Sequence, residues 1–290
     1  MQGYSCSVRE VLVRKGDYME RRFQVNYENT PFLLTSSIHA YSNRLNWRSE
    51  ILLTRNQEAI RGKRILDLGS HDGRLSYACL KLGASHVTGV ELFSSWFDSA
   101  AKNLIHFGYE SEHFNFIKSD VFDFLPNAKP KEYDTILCCG FISNTARQIE
   151  LFSEIKRIHP DNFILDTAIN TTVFIRPPRR TYLDLLARLG QLIPASIFEK
   201  LAPKTSKALK QGQREILLPV PDGNAPCLVF KQFEDHRFAA NPTKSFIEMA
   251  LQSYGFSHRQ LHWNKNEIED WSHLEDYKAG ERVSYIAQPL

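Results

Sequence analysis

Asp67 and Glu91 are the two acids whose setting makes them candidates for binding chemistry. Asp67 lies in Ile65-Leu66-Asp67-Leu68-Gly69-Ser70-His71-Asp72-Gly73, a short apolar run that breaks at glycines and leads into a helical pattern. Glu91 closes the next apolar run, Val87-Thr88-Gly89-Val90-Glu91. Two such strand ends are how a doubly wound sheet grips a nucleoside. The glycine turn lets backbone approach the ligand, the helix N-terminus offers free N–H groups, and the second acid accepts from ribose hydroxyls.

The surrounding elements must place those strand ends side by side. From residue 62 the pattern is regular: strand Lys63–Leu68, helix Gly73–Leu82 stopped by Gly83, strand His86–Glu91, and helix Ser94–Phe107 with Ser94 or Ser95 as N-cap. Strands Phe114–Lys118 and Tyr133–Cys139, helix Gln148–Ile158 and strand Asn162–Ile169 follow. Such alternation predicts an α/β fold, a doubly wound, mainly parallel sheet covered on both faces. Residues 1–58 read as an N-terminal cap with a helix at Arg48–Ile60. Residues 59–169 read as the core, 170–241 as a basic insertion or lid after strand five, and 242–290 as the rest of the core. The insertion carries a helix pattern at Tyr182–Gln191 and a strand pattern at Cys227–Phe233. Helix Thr243–Tyr254, strand Ser257–Trp263 and strand Arg282–Gln288 complete the pattern.

Bulk numbers exclude some classes. An apolar fraction of 42% and a net charge of +3 are ordinary for a globular protein and too mild to argue for nucleic acid alone. No run of apolar residues is long enough for a membrane span. No apolar h-region precedes residue 20, and the five scattered cysteines form no C-x-x-C, so the expected setting is cytoplasmic with reduced thiols and no metal. Zinc-protease, P-loop and G-x-S-x-G motifs are missing from the sequence.

Over about residues 45–290, apart from the insertion, the chain resembles the class I S-adenosylmethionine (SAM)-dependent methyltransferases. Asp67, Gly69 and Gly73 match the family's glycine motif, and Glu91 its ribose acid. Lys118-Ser119-Asp120-Val121 matches the adenine-side motif, with Asp120 accepting from the adenine amino group. Tyr133–Gly140 matches the strand-four motif, and the last helix and two closing strands, the second antiparallel, have counterparts. The resemblance implies a Rossmann-like seven-stranded sheet, SAM as cofactor and S-adenosylhomocysteine (SAH) as product. It places the cofactor against Asp67, Gly69, Ser70, His71, Gly73, Glu91, Leu92, Asp120, Val121, Cys139 and Gly140, with Trp47 and Arg48 from the cap. His71 stands where the family has its middle glycine, its side chain either beside the methionine moiety or pointing away. A pyrophosphate-binding loop is disfavoured for the same reason.

A narrower resemblance is to the tRNA wobble-uridine carboxymethyltransferase branch, at Asn46-Trp47-Arg48-Ser49, Cys139–Asn144 and Pro242-Thr243. That branch has Tyr-His where this chain has Ser143-Asn144, which favours ordinary methyl transfer. The first expectation is methyl transfer to an O or N atom of a small-molecule acceptor. A tRNA-modifying methyl- or carboxymethyltransferase is the alternative partner reading, and a non-catalytic SAM-binding scaffold the third. A homo-oligomer is compatible with all three. Candidate acceptor-side residues are Asn144 after strand four, Asp166 in strand five, and His39 and Tyr41 in the cap. Each has a plainer reading beside it. Asp166 can be a buried acid satisfied by neighbouring donors, Asp67 and Asp120 can cap helices, and His39 and Tyr41 can be surface or packing residues.

Overall fold

The computed structural model describes residues 12–15, 18–21, 23–36, 38–171, 215–216, 228–232 and 238–290. The expected helix at Tyr182–Gln191 and most of the basic insertion lie outside these residues. In chain order the elements are β1 (Leu12–Lys15), β2 (Tyr18–Arg21), α1 (Ser42–Leu52), β3 (Arg64–Leu68), α2 (Arg74–Lys81), β4 (His86–Glu91), α3 (Ser94–His106), β5 (Phe114–Lys118) and α4 (Val121–Phe124). They continue with β6 (Thr135–Cys139), α5 (Gln148–Ile158), β7 (Asn162–Ala168), β8 (Glu215–Ile216), β9 (Leu228–Gln232), β10 (Phe238–Pro242), α6 (Lys244–Ser253), β11 (Phe256–Gln260), α7 (Glu275–Lys278) and β12 (Arg282–Pro289).

Seven strands form one sheet in the order β11-β12-β7-β6-β3-β4-β5. β3 is parallel to β4 and β6, and β4 is parallel to β5, whereas β12 is antiparallel to β7 and β11. This is the Rossmann-like, mainly parallel sheet expected from the alternation. The chain winds outward from β3 to β5 and then returns to β6 on the other side of β3. That reversal is the topological switch point where open α/β sheets bind ligands. β8, β9 and β10 form a separate antiparallel sheet, and β1 and β2 pair as a hairpin. Among the described residues no helix is long and apolar enough to cross a membrane.

The described residues fall into two compact units, within Met1–Leu137 plus Leu261–Glu275 and within Cys138–Gln260 plus Asp276–Leu290. In the first unit β3 is buried from Ile65 to Leu68, as a central parallel strand requires. Tyr27 ties the segment before α1 to the core. Its N–H donates to Asn46 Oδ1 at 2.8 Å and its hydroxyl donates to the Arg74 carbonyl at 2.6 Å. Tyr27, Phe32, Tyr77 and Phe107 form an aromatic cluster with centroid spacings of 4.2–5.9 Å. The stretch 261–275 is pinned to α1 by Asn43, which donates to the Asp270 and Ser272 carbonyls, and by buried Arg44, which donates to the His273 carbonyl.

The second unit is built on the buried stripe Leu151, Phe152, Ile155 and Ile158 of α5 and on Phe246, Ile247, Ala250 and Leu251 of α6. Thr243 caps α6, its hydroxyl accepting from the Phe246 N–H. Buried Gln148 donates to the Ile142 and Ala240 carbonyls, which ties β10 to the turn after β6.

Two expectations need correction. The helix expected at Arg48–Ile60 begins earlier, at Ser42, and stops at Leu52, followed by a 3₁₀ turn over Thr54–Ala59. Asn56 breaks it: with φ −123° and ψ 36° it leaves the helical region, and its side-chain amide donates to the Ile51 and Leu52 carbonyls. Neither Ser94 nor Ser95 caps α3. The N-cap is Phe93, whose N–H is taken instead by the Glu91 carboxylate.

Gly89 in β4 has a packing reason. A Cβ there would stand 2.5 Å from the Phe116 ring and 2.8 Å from Ser70 Oγ. Gly89→Ala is therefore expected to lower stability by roughly 1–3 kcal/mol, the usual range for an overpacked core. A urea midpoint equal to that of the parent chain would show that the ring moves aside freely.

Candidate cofactor site

The turn after β3 turns left-handed three times in five residues: φ is +69° at Gly69, +56° at His71 and +80° at Gly73. Gly69 and Ser70 N–H groups both donate to the Val90 carbonyl, which locks the turn to the end of β4. Gly73 leads into α2 and packs tightly, since a Cβ there would meet Leu104 and Phe116 at 3.1 Å. The sequence places a third glycine-like residue at 71, and the backbone there is indeed left-handed, with histidine accepting a conformation that costs side chains other than glycine.

Glu91 is the hub of this turn. Its Oε2 accepts from the His71 N–H at 2.9 Å and its Oε1 from the Phe93 N–H at 2.8 Å. An ionised carboxylate offers about four acceptor positions, so each oxygen keeps a lone pair after these bonds. An acid held in this way, acceptor-only and oriented by backbone, suits a pair of ribose hydroxyls. Leu92 and Phe93 follow it with large exposed side chains that suit the face of a base. Asp120 caps α4, Oδ1 accepting from the Phe122 N–H at 2.7 Å, which leaves Oδ2 for an exocyclic amine. Val121 beside it is buried. The donor and acceptor set of the first unit thus fits a nucleoside.

Asp67 is buried at the end of β3 and accepts from the Ser76 hydroxyl at 2.7 Å. Burial pushes its carboxyl up to about 6; the Ser76 bond and the Arg48 charge pull it down, and the Glu91 charge adds to the rise. Arg48 and Trp47 are both buried on α1, with Phe23 edge-on to Trp47 at 5.2 Å. A carboxyl whose folded value lies above its unfolded one stabilises the fold most when protonated. Its contribution is complete below pH ~4 and lost as pH rises through about 6, on the order of 3 kcal/mol in all. Asp67→Asn keeps an acceptor for Ser76 and removes the ionisation. The variant is expected to gain stability over the parent chain at pH 7.5 but not at pH 4, as read from denaturation midpoints at both values.

A second network flanks the turn, and the sequence reading missed most of it. Asp72 is fully buried. Its Oδ1 accepts from Arg74 Nε at 2.7 Å, and its Oδ2 accepts from Arg74 Nη2 at 2.8 Å and from the Thr35 hydroxyl at 2.7 Å. Burial favours protonation of this carboxyl, but the contacts from His71 and Arg74 outweigh it and hold it well below the usual carboxylate range. His71 Nδ1 lies 3.1 Å from Asp72 Oδ1, off the line of a hydrogen bond. On the other side His71 Nε2 lies 3.2 Å from Ser36 Oγ, and the ring rests on Trp96 with centroids 4.1 Å apart. The acid-x-Arg spacing of Asp72 and Arg74 right after the glycine turn was the signal available in sequence.

The other candidates are placed as follows. His39 is exposed, with φ +50°. Tyr41 is partly exposed and stacks on His273 at 3.5 Å. In the second unit Cys139 ends β6 with its thiol 3.9 Å from the Ile164 carbonyl. Gly140, at φ +100°, donates its N–H to the Asp166 carbonyl at 2.7 Å. Asn144 is exposed, and its amide donates to the Gly140 carbonyl at 2.7 Å. Asp166 is fully buried. Its carboxylate accepts from the Tyr277 hydroxyl at 3.0 Å, Arg282 Nε at 3.1 Å and the Ser284 hydroxyl at 2.8 Å. These donors all come from its own unit.

Residues 65–161 match the family model described as a methyltransferase domain. A SAM-dependent methyltransferase structure described as putative, from Listeria monocytogenes, is similar at 13% identity and TM-score 0.52, covering 84% of this chain and 98% of its own. One from Mesorhizobium loti is similar at 13% identity and TM-score 0.52, covering 84% and 99%. The SAH-bound N-terminal domain of EvdMO1 is similar at 14% identity and TM-score 0.53, covering 88% and 86%. No curated protein matches the chain. The fold is the one shared by these methyltransferase structures. Residues 65–161 match a methyltransferase domain.

Proposed function

We propose that the chain transfers the methyl group of SAM to an oxygen or nitrogen atom of a small-molecule acceptor. The observation that carries the cofactor half is the Glu91 carboxylate, fixed by two backbone N–H groups at the end of β4 with acceptor capacity to spare. In this reading Glu91 takes the ribose, and Asp120 Oδ2, Leu92, Phe93 and Val121 take the adenine. The turn Gly69–Gly73 lies against the amino-acid tail, whose charges face buried Asp67 and Arg48, with Trp47 excluding water. The bound cofactor supplies a methyl already activated by its sulfonium. The protein then supplies alignment, worth up to roughly 7–11 kcal/mol when the acceptor is held in line. Asn144 after β6, and His39 and Tyr41 before α1, are the acceptor-side candidates. Asp166 acts by holding β7 and β12 together.

A small acceptor is supported by the mild overall charge, +3 for 290 residues. EvdMO1, whose N-terminal domain has also been crystallised with SAH and D-fucose, is a fold relative seen with a small sugar. The experiment is methyl transfer from labelled SAM into a metabolite extract and a total tRNA fraction. Label in the low-molecular-weight fraction is the expected result; label confined to tRNA sinks the small-molecule reading. One sequence observation favours that second reading: nine Lys/Arg against two acids between Asn170 and Arg214. If RNA is the partner, tRNA binding must fall steeply with salt and weaken when Arg179 and Arg180 are neutralised.

A further inference from the structure

We propose that Asp72, His71 and Ser36 form the proton-accepting chain of the transfer, which makes the acceptor a hydroxyl compound that must lose a proton as it is methylated. The proposal rests on the methyl-transfer reading above.

The direction of the chain follows from the groups themselves. Asp72 is ionised, so it is acceptor-only. Its position is fixed by the Arg74 fork, by the Thr35 hydroxyl, and by Asn103, which donates to the Asp72 carbonyl at 2.9 Å. A neutral His71 therefore carries its hydrogen on Nδ1, toward Asp72, and its lone pair on Nε2, toward Ser36. The Ser36 hydroxyl can donate to Nε2 at 3.2 Å while accepting from the Ile38 N–H at 3.0 Å, which leaves one lone pair for an incoming hydroxyl. Protonating the ring converts an off-line contact with Asp72 into an ion pair at 3.1 Å with a buried anion. A proton delivered to Nε2 is thereby balanced by the anion beside the other ring nitrogen.

Location supports the same role. His71 sits in the glycine turn itself, and its own N–H holds Glu91, the proposed ribose acid. The charged groups facing it are Asp72, with Arg74 on the far side, and Glu91 at its backbone; α3 contributes Trp96, which is uncharged. The step balances. The acceptor O–H gives its proton to Ser36 Oγ as Ser36 gives its own to His71 Nε2. The oxygen electron pair forms the bond to the methyl carbon, and the C–S bond electrons return to sulfur, leaving SAH. Ser36 is unchanged, and the imidazolium releases its proton to solvent.

The test uses the full chain and three variants. His71→Asn is chosen because asparagine tolerates left-handed backbone, His71→Gly because it removes that strain, and Ser36→Ala because it removes the relay. With labelled SAM at saturation and a metabolite extract as acceptor source, both His71 variants are expected to lose roughly 100–10,000-fold in rate. The parent rate is expected to rise with pH and theirs is not, and Ser36→Ala is expected to fall between. Nitrogen-15 spectra of labelled histidine, with His71 assigned by its loss in His71→Asn, should show Nδ1–H and bare Nε2 in the SAH complex at pH 8. A His71 variant with unchanged rate and pH profile, or an Nε2–H tautomer, overturns the proposal. A parent chain that neither binds SAH nor transfers label overturns the methyl-transfer reading instead.

Discussion

Glu91→Ala is expected to weaken SAH binding by at least about 100-fold while leaving the fold intact. The carboxylate offers charge-assisted acceptance to two ribose hydroxyls, and hydrogen bonds to a charged group contribute roughly 1.5–3 kcal/mol each. It also holds the His71 and Phe93 N–H groups, so its loss loosens the turn as well as the contact. Glu91→Gln is not a rescue. Both carboxylate oxygens face N–H donors, and an amide must turn its NH₂ toward one of them. Titration calorimetry with SAH decides the matter. Parent-like affinity in Glu91→Ala would remove this acid from the site and, with it, the main support for the cofactor placement.

The second large effect is on stability. Asp166→Ala leaves Arg282, whose side chain is only 10% exposed, without its buried partner, and strands the Tyr277 and Ser284 hydroxyls. Breaking a buried pair by removing one partner typically costs about 3–5 kcal/mol. Asp166→Asn, which keeps one acceptor oxygen, is expected to cost less. The measurement is the denaturant midpoint followed by circular dichroism. If Asp166→Ala were as stable as the parent chain and bound SAH normally but no longer transferred methyl, Asp166 would be a catalytic group rather than a tie between strands.

The contrast between these two acids shows what sequence alone can tell. Glu91 was legible because its neighbours in space are its neighbours in sequence: a strand end, a glycine turn and a helix start. The alternation of strands and helices was legible for the same reason, since each unit declares its period. Asp166 was visible only as an acid in an apolar strand. Its donors Tyr277, Arg282 and Ser284 come from more than a hundred positions away and arrive only once β12 has paired with β7. The start of α1 was obscured because Arg44, Asn46, Arg48 and Ser49 are buried beside Leu45, Trp47, Ile51 and Leu52, so burial there does not follow an apolar stripe. The missing serine cap on α3 has the same origin. Glu91 took the Phe93 N–H, and no local rule anticipates a carboxylate from the previous strand doing so.

The position of β12 bears on how the chain is made. It is the last of the seven strands to leave the ribosome, yet it lies between β7 and β11 and pairs with both. Until it emerges, two strands of the second unit each present an unpaired edge, the kind of surface that recruits other nascent chains. Asp166 waits through the same interval without Arg282 or Ser284. Synthesis halted before Arg282 should therefore yield an aggregation-prone product that holdase chaperones retain, and its release should follow completion of that single strand.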